Sequence, residues 1–168
     1  MHHGEQAFQF CPHCGTKLET RPFGGRDRAA CSADGCGFVH WNNPVPVVAA
    51  IVEHDGAIVL ANNHGWPADK FGLITGFLEQ TESPEAGTLR EVKEELGLIG
   101  KIVSLVGVYP FPRMNQVIIA YHVLATGTIR LGEELRASKH IAKHRLQPWD
   151  FGTGPAVRDW LRQQGHAP

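Results

Sequence analysis

Apolar and polar positions along the chain change period several times, and each change predicts an element. From Val45 to Val52 the run is mostly apolar and β-branched, the pattern of a buried strand. His54-Asp55-Gly56 predicts a hairpin turn, with Ala57 to Ala61 as the returning strand. Asn62 to Lys70, rich in Gly, Pro and Asn, predicts a loop, and Phe71 to Phe77 a short strand after it. The period then lengthens. Leu89, Val92 and Leu96 form one apolar stripe, Ser83 suits an N-cap, Pro84 a first helical position, and Gly97 a C-terminal stop, which predicts a helix over 84–96. Ile102 to Tyr109 and Gln116 to Ala125 read as strands joined by Pro110-Phe111-Pro112. Gly154 to Gln163 is helical again, with Val157, Trp160 and Leu161 on its buried side. Strands around two helices predict an α/β fold.

The polar face of the first helix changes this picture from fold to chemistry. At about 100° per residue, Glu91, Glu94 and Glu95 fall on one side, away from the apolar stripe. A solvated acidic face is the plain alternative. It leaves the spacing of Gly76, Glu82 and Arg90 without a reason. Hard oxygen ligands suit Mg²⁺ or Mn²⁺, which clamp pyrophosphate oxygens and acidify an attacking water.

Those residues belong to one continuous motif. Gly76 to Leu98 reads GFLEQTESPEAGTLREVKEELGL and fits G-x5-E-x7-R-E-U-x-E-E-x-G-U, with U aliphatic, at every specified position. On this motif the chain resembles the Nudix hydrolases. The resemblance implies an α/β/α sandwich with a mixed β-sheet. It also implies that Glu94 and Glu95 bind Mg²⁺ or Mn²⁺, that Glu91 is a ligand or base, and that the Gly76 carbonyl joins them. Arg90 and Glu82 would support that shell by pairing loop to helix.

A second signal lies upstream. Cys11-Pro-His-Cys14, sixteen residues, then Cys31-Ser-Ala-Asp-Gly-Cys36 uses all four cysteines of the chain. Paired thiolates at this separation resemble a four-cysteine zinc ribbon, with His13 and His40 as alternative ligands. Two disulfides are the rival reading. Met1 to Phe10 has no apolar run of the kind a signal peptide needs, so the expectation is a reducing cytosol and a structural Zn²⁺. Trp41-Asn-Asn-Pro44 reads as a linker or turn. The expected organisation is a zinc ribbon over 8–40 and a hydrolase domain over 44–168. Two histidines in Met1-His-His-Gly carry no functional weight.

Ribbon and motif together resemble the NADH pyrophosphatase branch and related hydrolases of ADP-ribose or FAD. Val106 to Met114 reads VGVYPFPRM where that branch has SQPWPFPxS. The centre is Tyr-Pro-Phe-Pro, with Tyr109 in the place of the motif's Trp, and the flanking Ser, Gln and Pro and the final Ser are lacking. Tyr109 and Phe111 are therefore candidate stacking partners for a base, or core aromatics. Phe77 shares the ambiguity, and Gln116 is a weaker candidate. The resemblance places a further metal-binding glutamate at Glu134, which would bind a second metal or act as general base. The expected reaction is hydrolysis of a nucleoside diphosphate derivative to AMP and a second phosphate.

Composition narrows the partners. A net charge of −1 over 168 residues gives no broad nucleic-acid surface, and no apolar run approaches the roughly 20 residues of a membrane span. The expected partner is a small nucleotide, and the resemblance leaves room for a homodimer. Arg21, Arg26 and Arg28 form a local basic cluster, read as a solvated loop. Two alternatives stand beside the enzyme. One is a catalytically weak ligand sensor or regulator that uses the zinc ribbon for partner or nucleic-acid contact. The other is removal of dinucleotide caps from RNA, for which these arginines would be the contact. His64 and Trp66 are candidates for the mouth of the site, and His140 and His144, four apart, for one helix face.

Overall fold

A buried apolar strand needs neighbours on both edges, and β3 (Val45–His54) has them. In the computed structural model, which describes residues 8–165, β3 runs parallel to β7 (Gln116–Thr126). It is antiparallel to β4 (Ala57–Asn63) and to β5 (Ile74–Phe77). The six-stranded mixed sheet has the order β6-β7-β3-β4-β8, with β5 also on β3; β6 spans Ile99–Phe111 and β8 Leu135–Ala142. Asp55 and Gly56, with φ of 50° and 77°, make the turn between β3 and β4, as a two-residue hairpin requires.

Alternation along β3 builds two cores. Val47, Ala49 and Ile51 pack with Val157, Trp160 and Leu161 of helix α2 (Gly154–Gln163). Ala50 and Val52 pack on the other side with Val92 and Leu96 of helix α1 (Pro84–Leu96). One helix therefore covers each face, which is the α/β/α sandwich. Both helices occupy the ranges their apolar stripes predict.

Several elements differ from the sequence expectation. Arg21, Arg26 and Arg28, read as a loop, lie on the paired strands Leu18–Phe23 and Arg26–Cys31, and the strand expected over 71–77 is shortened to Ile74–Phe77. Leu135–Ala142 is a strand, so His140 lies on β8, while His144 lies in a 3-10 turn; they share no helix. The strand forms because its residues pair with β4 from Ala57↔Ala142 onward. His140 Nε2 meets His54 Nδ1 at 3.0 Å, and His54 Nε2 meets the Gly127 carbonyl. β6 runs on to Phe111 and takes in Pro110, which an outer strand of the sheet tolerates.

The chain divides into two compact units, Met1–Asn43 and Pro44–Pro168. The first holds the hairpin β1 (Leu18–Phe23) and β2 (Arg26–Cys31). The histidines of Met1-His-His-Gly, and the last three residues of the 44–168 expectation, lie outside the described residues. No described helix is long and apolar enough to cross a membrane.

Candidate active site on helix α1

Helix α1 begins where Ser83 Oγ accepts the Ala86 N–H, and Tyr121 Oη reaches across from β7 to bond Glu85 at 2.9 Å. The helix ends at Gly97, whose φ of 67° lets its N–H close on the Lys93 carbonyl. Between these fixed ends, steps of three and four residues put the glutamates on one side, with Arg90 beside them.

Arg90 ties the motif together. Its guanidinium makes a two-pronged bond to Glu82, at 2.8 and 3.2 Å, and reaches the Phe77 carbonyl at 3.1 Å. The same group bonds Glu91 at 2.7 Å and Glu94 at 3.0 Å. Glu82 also accepts the Glu79 N–H, which closes the loop before the helix. Arg90 thus clamps loop to helix, and holds Glu82 below the usual carboxylate range.

The glycine at the head of the motif has a physical reason. A Cβ on Gly76 would stand 1.9 Å from the Glu91 carboxyl, so only glycine lets that carboxylate lie against the backbone of β5. Burial raises the proton affinity of Glu91, against the pull of Arg90. Glu95 is 8% exposed. Burial, then the negative charges of Glu91, Glu134 and Glu94, push its carboxyl up to about 8. Glu134 therefore stands within electrostatic range of the helix. Arg90 is the one cation paired with the glutamates of the motif among the described residues.

The candidate aromatics part company. Phe77 ends β5 and is 60% exposed beside the motif. Tyr109 and Phe111 point to the other face of the sheet, packed against the core beneath α2. Tyr109 Oη donates to Asp159 of α2 at 3.0 Å. The structure does not bring these two rings to the glutamates; strand alternation sends them to the opposite side. Gln116, half-buried, opens β7 opposite Phe111. Trp66 lies over Gly72, and its carbonyl accepts from Arg136. Sequence reasoning missed Tyr121, Asn62 and Arg136. Nothing in a single polar residue on a strand announces which loop it will hold.

In the first unit, the four cysteine sulfurs are free of disulfides and lie within 4.8 Å of one another. Cys11 and Cys36 stand 3.5 Å apart, as do Cys14 and Cys31. No other group of three or more such ligands gathers this closely among the described residues. His13 packs edge-on to Phe38 and His40 against Phe8, so neither joins the cluster.

Comparison with known proteins agrees with this architecture. An ADP-ribose pyrophosphatase of Methanocaldococcus jannaschii is 31% identical over 126 residues, covering 71% of this chain and 75% of that one. The NAD-capped RNA hydrolase NudC of Mycobacterium bovis is 40% identical over 81 residues, 47% of this chain. The match spans only 26% of that relative's length. The crystal structure of a NUDIX hydrolase from Nitrosomonas europaea superposes with a TM-score of 0.77 at 25% identity, covering 95% of this chain and 94% of that one. The NUDIX domain family matches residues 42–159, and the chain belongs to that family.

Proposed function

We propose that this chain is a divalent-metal-dependent pyrophosphohydrolase acting on a nucleoside diphosphate derivative of the ADP-ribose, NADH or FAD type. The observation that carries the reading is Glu95, a carboxylate buried among three others and paired with no cation among the described residues. Such a group is costly to ionise unless a cation joins it. Glu94, Glu95, Glu91 and the Gly76 carbonyl would hold Mg²⁺ or Mn²⁺, with Glu134 facing them. These are hard oxygen donors, which fit either ion. Bound there, the cation would draw charge from the diphosphate and acidify the attacking water.

The chain's own residues set the geometry of that step. Arg90 holds Glu91 and Glu94 in place from one side, and Glu82 holds Arg90. Glu134 carries no hydrogen bond or ion pair on its carboxylate among the described residues. It is the acceptor we assign for the proton of water, ahead of Glu91, which Arg90 already engages. Phe77, exposed beside the site, offers a ring for a base. Water attacking one phosphorus would release AMP and the phosphate of the other half.

The cysteine cluster reads as a structural Zn²⁺ site. Tetrahedral zinc at about 2.3 Å from each thiolate sets the sulfurs about 3.8 Å apart, and the observed spacing suits that. All four ligands come from the protein, which leaves no position for substrate.

The test is a hydrolysis panel of ADP-ribose, NADH, NAD⁺, FAD and a diadenosine polyphosphate with Mg²⁺ or Mn²⁺. AMP from one of them far ahead of the rest is the expected result. No turnover on any, with tight binding of one, would convert the reading to a ligand sensor. RNA cap removal is the second reading, for one reason. Arg21 pairs across the hairpin with Arg28 and Phe23 with Arg26, and Arg28 lies 4.8 Å over the Trp41 ring.

A further inference from the structure

The segment between β7 and β8 passes unusually close to the end of helix α1. The Arg130 N–H donates to the Leu96 carbonyl at 2.8 Å, and the Gly132 N–H to the Glu95 carbonyl at 2.9 Å. These are carbonyls that the last helical turn leaves without an intrahelical partner. A Cβ added at Gly132 would stand 2.6 Å from the Glu94 carbonyl oxygen and 3.3 Å from the Glu95 Cα. Both are backbone atoms, so no side-chain rotation relieves the clash. The φ of Gly132 lies outside the left-handed region, so close packing demands the glycine and conformation does not.

What this close approach delivers is Glu134. The Leu135 N–H turns back to the Gly132 carbonyl at 3.1 Å, and the Glu134 carbonyl accepts the His64 N–H at 3.1 Å. Leu135 is 4% exposed in the same core as Leu96. Arg136 bonds the buried Asn62 at 2.8 Å and the Trp66 carbonyl at 3.0 Å. Glu134 is thus pinned on one side by Gly132 against α1 and on the other by the loop after β4. Its carboxylate lies in electrostatic range of Glu91 and Glu95 and has no hydrogen bond or ion pair among the described residues.

We infer that Gly132 is a positioning residue for the proposed hydrolysis: its missing Cβ seats residues 130–134 on the last turn of α1 and so aims Glu134 at the glutamates. The inference rests on the pyrophosphohydrolase reading. It adds that the catalytic geometry depends on a glycine outside the motif that defines the family.

A double-mutant cycle on the full-length protein tests it, using the best substrate of the panel with Mg²⁺. Gly132→Ala should lower kcat on the order of tenfold or more, with KM nearly unchanged, because displacing a reacting group by a fraction of an ångström is costly. Glu134→Gln should also lower kcat. In the Glu134→Gln background, adding Gly132→Ala should cost little more, since the group it misplaces is already disabled. A merely structural role would give the same loss in both backgrounds, and that outcome overturns the inference. So does a Gly132→Ala enzyme with wild-type kcat. If Glu134→Gln is itself fully active, the assignment of Glu134 fails and the inference falls with it, a result distinct from the other two. Should Gly132→Ala not fold, Arg136→Ala loosens the segment from its far side. Its smaller loss of kcat must likewise vanish in the Glu134→Gln background, and persistence there overturns the idea.

Discussion

The two faces of the central sheet carry helices of similar length and opposite purpose. Beneath α2 lie Trp160 and Val157, both wholly buried, and Leu161, with Ile51 and Ala120 of the sheet opposite them. Beneath α1 the core is equally apolar at Val92 and Leu96, but the helix also carries Glu95 at 8% exposure and Glu91 against the backbone of β5. One face stores stability, while the other spends some of it on crowded charge. The contrast predicts that substitutions on the two faces will move stability and turnover in opposite ways.

The largest separation should come from Glu95→Gln. This change keeps the shape and deletes a charge that is buried among like charges. Turnover should fall by about two to three orders of magnitude, the several kcal/mol a cation contributes to a phosphoryl step. The melting temperature measured without added Mg²⁺ should hold or rise, as stability and function trade off at such sites. A variant that hydrolyses substrate at the wild-type rate would remove Glu95 from the site.

Trp160→Ala should do the reverse. Emptying the largest wholly buried side chain under α2 should cost about 3–5 kcal/mol of unfolding free energy by urea denaturation. The folded fraction should keep its kcat, because no glutamate of the site belongs to that core. A reduced kcat per folded molecule would show that the two faces are coupled.

How much of this contrast the sequence reveals depends on the range of the interactions. The range of α1, its stripe, its caps and the clustering of Glu91, Glu94 and Glu95 follow from periodicity within thirteen residues. The approach of Glu91 to Gly76 is legible as motif spacing but not as a reason, since the clash appears only when β5 lies against the helix. Tyr109 is ambiguous in sequence because an aromatic between prolines and valines fits a core or a binding surface equally. Its side is decided by strand register, which two bulges in β6 make unreadable locally. His140 looks helical beside His144 until β4 claims it as a strand partner.

A pH series on the protein without added Mg²⁺ or Mn²⁺ probes the charged face directly. The Glu95 carboxyl titrates at about 8 when folded and at the ordinary 4.5 when unfolded. Between those values the native state keeps a proton that the unfolded chain releases. Stability from this group is therefore full below the unfolded value and declines as pH rises toward 8. Mg²⁺ should reverse the decline, because the cation takes the place of the proton, and Glu95→Gln should flatten it. A stability that does not fall between about pH 5 and 8, or falls equally in Glu95→Gln, would contradict the assignment.

The smallest effect separates core from binding surface at Tyr109. Its ring packs under α2, its hydroxyl bonds Asp159, and a Cβ on Gly107 would stand 2.7 Å from that hydroxyl, so the sequence makes room for it. Tyr109→Leu removes the ring and the bond together. If the residue serves the core, unfolding free energy should drop by about 1–2 kcal/mol while KM stays within about twofold. A base stacked on Tyr109 would instead give a KM raised about tenfold or more with the melting temperature unchanged, as expected when a stacked base is deprived of its aromatic platform. Only the first pattern fits a ring turned away from the glutamates, because a nucleotide held at α1 would have to cross the sheet to reach it.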